Sequence, residues 1–229
     1  MLKNKFFVDF EKKNLLSLVR SYSRSRKAAI RVLDVGCGFG RNIEVLEALE
    51  GVDVVGVDVN VEALAFNRAK GRSIFHPEDD GWKRKYDVIV MSHIIEHFLP
   101  EDLVNFMDGY LDFLKEGGRL IIATPLLSSY FYDDFTHVKP YVPESLLMIY
   151  GSVNPQVSIN SNHCLDLASL WFRRSPFKIR RVRMRYLGGL GGKAIALING
   201  GLALVFSLSF GLVGAKDGWL GMFVYRSKD

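Results

Sequence analysis

The sequence predicts an α/β protein with a doubly wound, mostly parallel sheet in three layers. Two observations carry that expectation. Short buried apolar runs alternate with helical patterns over residues 31–125, and the first run ends in clustered glycines. Such alternation calls for parallel strands covered by helices on both faces. A third observation, the charge-free stretch 194–215, predicts a hydrophobic helical insertion before the last strand.

Each element can be justified in order. Phe6, Phe10, Leu15, Leu18, Val19 and Tyr22 approximate one helical face, so residues 1–30 read as an N-terminal amphipathic helical extension. Arg31–Val35 is a short strand entering the glycines. Asn42–Leu49 reads as a helix with Ile43, Leu46 and Leu49 on one side. Asp53–Val57 is a second buried strand, followed by a helix from Val61 to Lys70. Ser73–Phe75 is a weak third strand and Tyr86–Met91 a strong fourth. Leu103–Leu114 is an amphipathic helix, with Gly117–Gly118 expected to cap it. Arg119–Ala123 is the fifth strand. Residues 126–142 read as a long aromatic loop, and Pro143 opens a helix to Tyr150. Residues 151–176 carry no assignable pattern. Phe177–Tyr186 alternates, with Arg181, Arg183 and Arg185 on one side, and reads as an edge strand. Trp219–Tyr225 reads as the last strand. Residues 31–229 then form one domain that includes 187–217 as its insertion.

Composition narrows the class. A chain of 229 residues, nearly half of them apolar, is long enough for one full core. Cys37 and Cys164 cannot build a disulfide framework, which suits a reducing cytoplasm. Charge is unevenly spread. Residues 1–30 carry +6, residues 167–216 carry nine Lys/Arg and no acid, and the net charge is only +5. The middle of the chain is therefore acidic. Basic segments at the start and near the end fit an anionic partner surface, membrane or nucleic acid, and fit solvated surface equally well.

The chemistry concentrates in Val32-Leu33-Asp34-Val35-Gly36-Cys37-Gly38-Phe39-Gly40-Arg41-Asn42. A buried strand, a glycine turn and a helix N-terminus together bring free backbone N–H groups close to a ligand. Val54-Val55-Gly56-Val57-Asp58 then ends a second strand in an acid, 22 residues after Gly36. A carboxylate there can accept both ribose hydroxyls, though a helix N-cap is the plainer role. A dinucleotide loop needs a third glycine where this chain has Arg41. Asp34 would repel a pyrophosphate but attract an ammonium or sulfonium. The charge logic prefers S-adenosylmethionine to NAD.

Leu33–Gly40, Val55–Asp58, Tyr86–His97 and Leu114–Pro125 resemble the successive motifs of class I S-adenosylmethionine-dependent methyltransferases, in the branch of small-molecule and quinone-pathway O-methyltransferases. The resemblance covers residues 31–150 and extends to the last strand. It implies a seven-stranded sheet whose last two strands form an antiparallel pair. It implies that Asp34, Gly36, Cys37, Gly38 and Gly40 hold the amino-acid part of the cofactor, that Asp58 and Val59 meet the ribose, and that Asp79 meets the adenine. Ser92 and His93 would line the cofactor after the fourth strand.

His93-Ile94-Ile95-Glu96-His97 matches a zinc-protease pattern, but it directly follows a strand and Pro100 cuts it short, so there is too little helix to present metal ligands. No metal is expected. His97 and His137 are candidate bases for taking a proton from the acceptor. The stretch 194–215 is long enough to span a bilayer, yet Asn199-Gly200-Gly201 interrupts it and both flanking strands belong to one sheet. A re-entrant or surface-lying hairpin is the expectation, giving peripheral contact at the inner face of the membrane and a small or lipid-linked acceptor such as a quinone, isoprenoid or glycan. Nucleic-acid methylation is disfavoured, because Ser92-His93-Ile94 stands where base-amine methyltransferases carry a Pro-Pro motif. A nicotinamide oxidoreductase and a non-enzymatic scaffold remain as further alternatives.

Overall fold

A computed structural model describes residues 9–151, 161–180 and 183–227. Helix α1 (Phe10–Arg24) starts at Asp9, whose side chain accepts the Lys12 N–H, and buries Leu15, Val19 and Tyr22. Strand β1 (Ile30–Val35) is buried on both faces except at Arg31. Chain order continues with α2 (Ile43–Leu46), β2 (Val52–Val57), α3 (Val61–Arg68), β3 (Ile74–Phe75), β4 (Tyr86–Ser92), α4 (Pro100–Leu111), β5 (Leu114–Pro125), α5 (Pro143–Tyr150), β6 (His163–Ser175), α6 (Arg183–Leu187), α7 (Gly189–Leu208) and β7 (Ala215–Ser227).

The seven strands lie in the order β3-β2-β1-β4-β5-β7-β6. β1 through β5 pair in parallel, and β7 runs antiparallel to both β5 and β6. The chain winds outward one way from β1 and the other way from β4. Their carboxyl ends therefore frame the crevice where doubly wound sheets bind ligands.

Period-two alternation divides the core into two layers. Leu33, Ile89, Met107, Leu111, Tyr150 and Trp219 pack on the face covered by α4 and α5. Val32, Val88, Ile43, Leu46, Leu64 and Leu220 pack on the opposite face, and Leu15, Val19 and Tyr22 of α1 join them. Burying Leu15 and Val19 stabilises by about 1.5–3 kcal/mol each, which ties α1 to the sheet.

Several expectations are corrected. The penultimate strand is His163–Ser175, in the stretch left unassigned, and not Phe177–Tyr186. Residues 177–180 lie past the carboxyl end of β6 with no neighbouring strand, 181 and 182 fall outside the described residues, and α6 follows. Alternation alone makes no strand where no ladder partner exists. Nor is the apolar stretch broken at Asn199-Gly200-Gly201: α7 runs through all three. The turn falls earlier, at Gly188 and Gly189, both at positive φ. The fourth helix ends at Leu111, and Gly117–Gly118 lie within β5, where the β4–β5 register shifts. Phe6 lies outside the described residues.

Candidate active site

The glycine turn is built as the spacing predicted. Gly36, Gly38 and Gly40 all have positive φ. At Gly36 an added Cβ would run into Ile94 Cδ1, so glycine is required there by both conformation and space. The turn hangs on β2: the Gly36 and Cys37 N–H groups donate to Val57 O at 2.8 and 3.1 Å. Asp58 completes the anchor, accepting the Gly38 N–H on Oδ2 at 2.6 Å and the Asn60 N–H on Oδ1 at 2.8 Å. Capping of α3 is done by Asn60, whose side chain accepts from Glu62 and Ala63, so Asp58 is not that helix's N-cap. A carboxylate has about four acceptor positions, which leaves Asp58 capacity for further donors.

Asp34 is fully buried at the end of β1. Its Oδ1 lies 3.4 Å from the Asn42 amide, while Oδ2 has no hydrogen-bond partner. Burial pushes its pKa up to about 7; the Asn42 contact opposes this and the charge of Asp58 adds to it. A buried carboxylate with a free oxygen is costly unless a donor or cation completes it. Cys37 is buried beside it, and burial raises its thiol pKa, so it contributes backbone rather than thiolate.

Beside the turn lies a cavity of about 240 Å³, walled by Val35, Gly36, Val57, Asp58, Val59, Pro77, Ile94, His97, Phe98, Phe106 and Tyr110. Its lining is apolar apart from Asp58, His97 and the Tyr110 hydroxyl, a setting for a flat heterocycle with a hydroxylated edge. The structure thus brings together Gly36, Asp58, Val59 and His97, with Asp34 next to them in the chain. Asp79 does not join them: its carboxylate accepts the His76 N–H at 2.9 Å and meets Arg68 at 3.4 Å, and Pro77 forms the wall instead. Ser92 ends β4. His93 follows at φ +58, with its ring turned away toward Glu11.

The two candidate bases are neighbours, their rings 5.1 Å apart. His97 Nδ1 lies 3.1 Å from Thr136 O and His137 Nδ1 lies 2.7 Å from Phe131 O. A carbonyl only accepts, so in the neutral form of each ring Nδ1 carries the proton and Nε2 the lone pair; His137 Nε2 faces Asp134 at 3.8 Å. The zinc-protease pattern is not assembled. Ile95–His97 is a single 3-10 turn, and His97 meets His137 instead of sharing a helical face with His93. One oxygen or nitrogen each from Glu96, His97 and His137 does lie within 4.8 Å of the others. Glu96 is buried; its Oε2 accepts from Thr124 at 3.0 Å, while Oε1 has no aligned donor.

Sequence reasoning missed a charged cluster on the same rim. Glu11 of α1 is buried, with its carboxylate 2.9 Å from His93 Nε2, 2.9 Å from Arg173 of β6 and 3.5 Å from Arg41. Burial alone would raise its pKa, but the hydrogen bond and charge of His93, with Arg173 and Arg41, hold it down at about 2. Arg173 also binds Asp217 at 2.9 Å. Phe98, Phe106 and Tyr110 were missed as well. The i, i+4 spacing of Phe106 and Tyr110 on α4 was the available signal.

A family model described as a methyltransferase domain matches residues 7–168. The chain belongs to the methyltransferase domain family. Its sequence motifs imply S-adenosylmethionine as the cofactor. The residues present fit that cofactor, since Asp34 offers an unpaired buried carboxylate oxygen to an ammonium. Among the relatives, a ubiquinone biosynthesis O-methyltransferase of Pelagibacter ubique is 32% identical over 141 residues, 56% of this chain and 57% of that protein. The mitochondrial ubiquinone biosynthesis O-methyltransferase of Homo sapiens is 30% identical over 139 residues, 53% of this chain and 36% of that protein. The match therefore spans about half or less of these relatives' length. A SAM-dependent methyltransferase crystal structure from Archaeoglobus fulgidus superposes with a TM-score of 0.55 at 21% identity, covering 93% of this chain and 94% of that one. That likeness establishes the methyltransferase fold of the domain.

Proposed function

We propose that this methyltransferase moves the methyl group of S-adenosylmethionine to an oxygen of a quinone-type acceptor, and that the acceptor is lipid-linked and met at the cytoplasmic face of a membrane. The observation that carries the cofactor assignment is Asp34 Oδ2, buried and without a partner at the end of β1, two residues before Gly36. Relatives named ubiquinone biosynthesis O-methyltransferases support oxygen and a quinone-type ring.

The cofactor supplies an electrophilic methyl. The chain's residues do the rest by binding and orientation. Asp34 holds the ammonium, and the backbone of Gly36, Cys37, Gly38 and Gly40 allows the amino-acid part to approach. Asp58 accepts the ribose hydroxyls, and Val59, Pro77, Ile94 and Phe98 enclose the base. Ser92 and His93 bound the cofactor side through their backbone. His97 or His137 takes the acceptor's hydroxyl proton on Nε2 as the oxygen attacks in line. Asp79 is left out of this assignment because Pro77, and not Asp79, walls the cavity.

The test is turnover of purified protein on a soluble quinol, followed by mass and NMR analysis of the product. An oxygen-bound methyl is expected; methylation of nitrogen or carbon, or binding of NAD in place of S-adenosylmethionine in calorimetry, would overturn the reading. One observation favours a second role at the same place. Glu96, His97 and His137 are close enough to share a divalent cation that would acidify the acceptor hydroxyl. Activity abolished by chelator and restored by magnesium or zinc would select that route over a free histidine base.

A further inference from the structure

We propose that α7 lies flat on a bilayer containing anionic phospholipid and holds the catalytic rim of the sheet against the headgroups. This rests on the lipid-linked acceptor reading and names the surface that would meet the membrane.

Leu190, Leu197, Leu204 and Leu208 are 85%, 80%, 60% and 72% exposed. At about 100° per residue they share one stripe along the whole of α7. The helix's buried side chains, Ile195 and Phe206, sit roughly 150° away around the axis. One side of α7 is therefore packed on the protein and the other is an unbroken apolar edge, continued by Phe210 at 87% exposure. An apolar stripe along a helix's full length suits burial in the interface plane.

The tethers argue against spanning. Asn199, in the middle of α7, both accepts from the Ile179 N–H at 2.8 Å and donates to the Ile179 carbonyl at 3.1 Å. Beyond α7, Arg174 donates to Leu212 O at 2.6 Å, and Ala215 pairs with Ser175 at the end of β6. The helix is thus held along its side and at its end to one edge of the sheet.

Charge selects the occupant. Residues 167–216 contain no acid, and although Arg173 and Arg180 are paired with Glu11, Asp217 and Asp133, the cations Arg174, Lys178, Arg183, Lys193 and Lys216 are exposed. A second copy docking by a two-fold contact would set this cationic surface against itself. Anionic headgroups neutralise it, with each lysine or arginine near the surface contributing to binding.

The surface is also coupled to the site. Arg180, just before α6, stacks over Tyr130 at 4.4 Å and pairs with Asp133 at 3.1 Å. That same loop carries His137, whose Nδ1 binds Phe131 O. A lipid-linked ring leaving the headgroup layer would meet this loop first.

The experiment is flotation of the full chain with vesicles of phosphatidylcholine alone and of equimolar phosphatidylcholine and phosphatidylglycerol. Binding to the anionic vesicles only, weakening as salt rises, is expected. Leu197→Asp and Leu204→Asp should each lower partitioning by roughly tenfold or more, while calorimetric affinity for S-adenosylmethionine stays unchanged and certifies the fold. Protein left in the soluble fraction with anionic vesicles overturns the proposal. So does a stable dimer in light scattering that Leu197→Asp dissociates, and so does carbonate-resistant membrane retention, which would mean spanning. Lost flotation with intact cofactor binding removes the docking alone. Intact flotation without cofactor binding removes the methyltransferase reading alone.

Discussion

The carboxyl rim of β1, β2 and β4 and the α6–α7 insertion are made by opposite means. On the rim, buried groups hold each other: Asp58 ties the glycine turn to β2, and Gly36 leaves the space that Ile94 fills. Asp34 is the exception, with one carboxylate oxygen buried and left without a hydrogen-bond partner. In the insertion, leucines stand in the open and few contacts fix them. One region is complete but for a small cation; the other is complete but for a surface. Both gaps describe a ligand, and the chemistry of each gap differs because the ligand differs.

The comparison breaks first if the rim does not carry the chemistry. His137→Ala should cut turnover by roughly a hundredfold to ten-thousandfold with cofactor affinity unchanged, because it removes a base and no cavity wall. Quenched-flow or steady-state assay with calorimetry checks this. Turnover within a few-fold of the parent would hand the proton to His97. Next, Asp58→Ala should weaken S-adenosylmethionine binding by roughly tenfold to a hundredfold, the worth of charged hydrogen bonds to the ribose. Equal affinity of variant and parent would remove Asp58 from the site.

The pH dependence sharpens the same region. An ammonium binds the Asp34 carboxylate, not the acid, and burial keeps Asp34 protonated until pH reaches about 7. Protons therefore compete with the cofactor. Affinity should rise as pH climbs toward 7 and level off above it, falling by up to about tenfold per unit on the acid side. Asp34→Asn should bind weakly and lose this slope. A parent profile flat from pH 5.5 to 8 would place the ammonium elsewhere.

The same contrast explains what could be read from the sequence. β1, β2 and β4 are buried on both faces, so their apolar runs mark them to within a residue or so. Glycines at positive φ and an acid at a strand end are chemical necessities, visible without knowing the rest of the fold. β6 was illegible because its residues are mostly half-buried on both sides and its pairing with β7 slips between Leu167 and Ser169, which erases period two. Phe177–Tyr186 had the period and lacked the partner. Glu11 is the clearest case of the non-local. Its partners His93 and Arg173 lie 82 and 162 residues away, so no window of sequence contains the cluster. Asp79 is the local case: its carboxylate closes the turn after β3 on the His76 N–H, and Pro77 lines the cavity in its place.

The smallest effect tests how the insertion is held. Asn199, with two glycines after it, is expected from the sequence to break α7, yet the helix continues, and the Asn199 side chain pairs with both backbone groups of Ile179. Replacing it with alanine loses two hydrogen bonds worth about 1 kcal/mol each. Alanine's better helix propensity returns about 0.6 kcal/mol. The loss wins by about 1.4 kcal/mol, and Tm should fall by roughly 3–6 °C. Cofactor affinity should not move, since no cavity residue touches Asn199. A rise in Tm would mean that propensity outweighs the tether, and α7 would then be held to the sheet by Ile195, Phe206 and the Arg174–Leu212 contact.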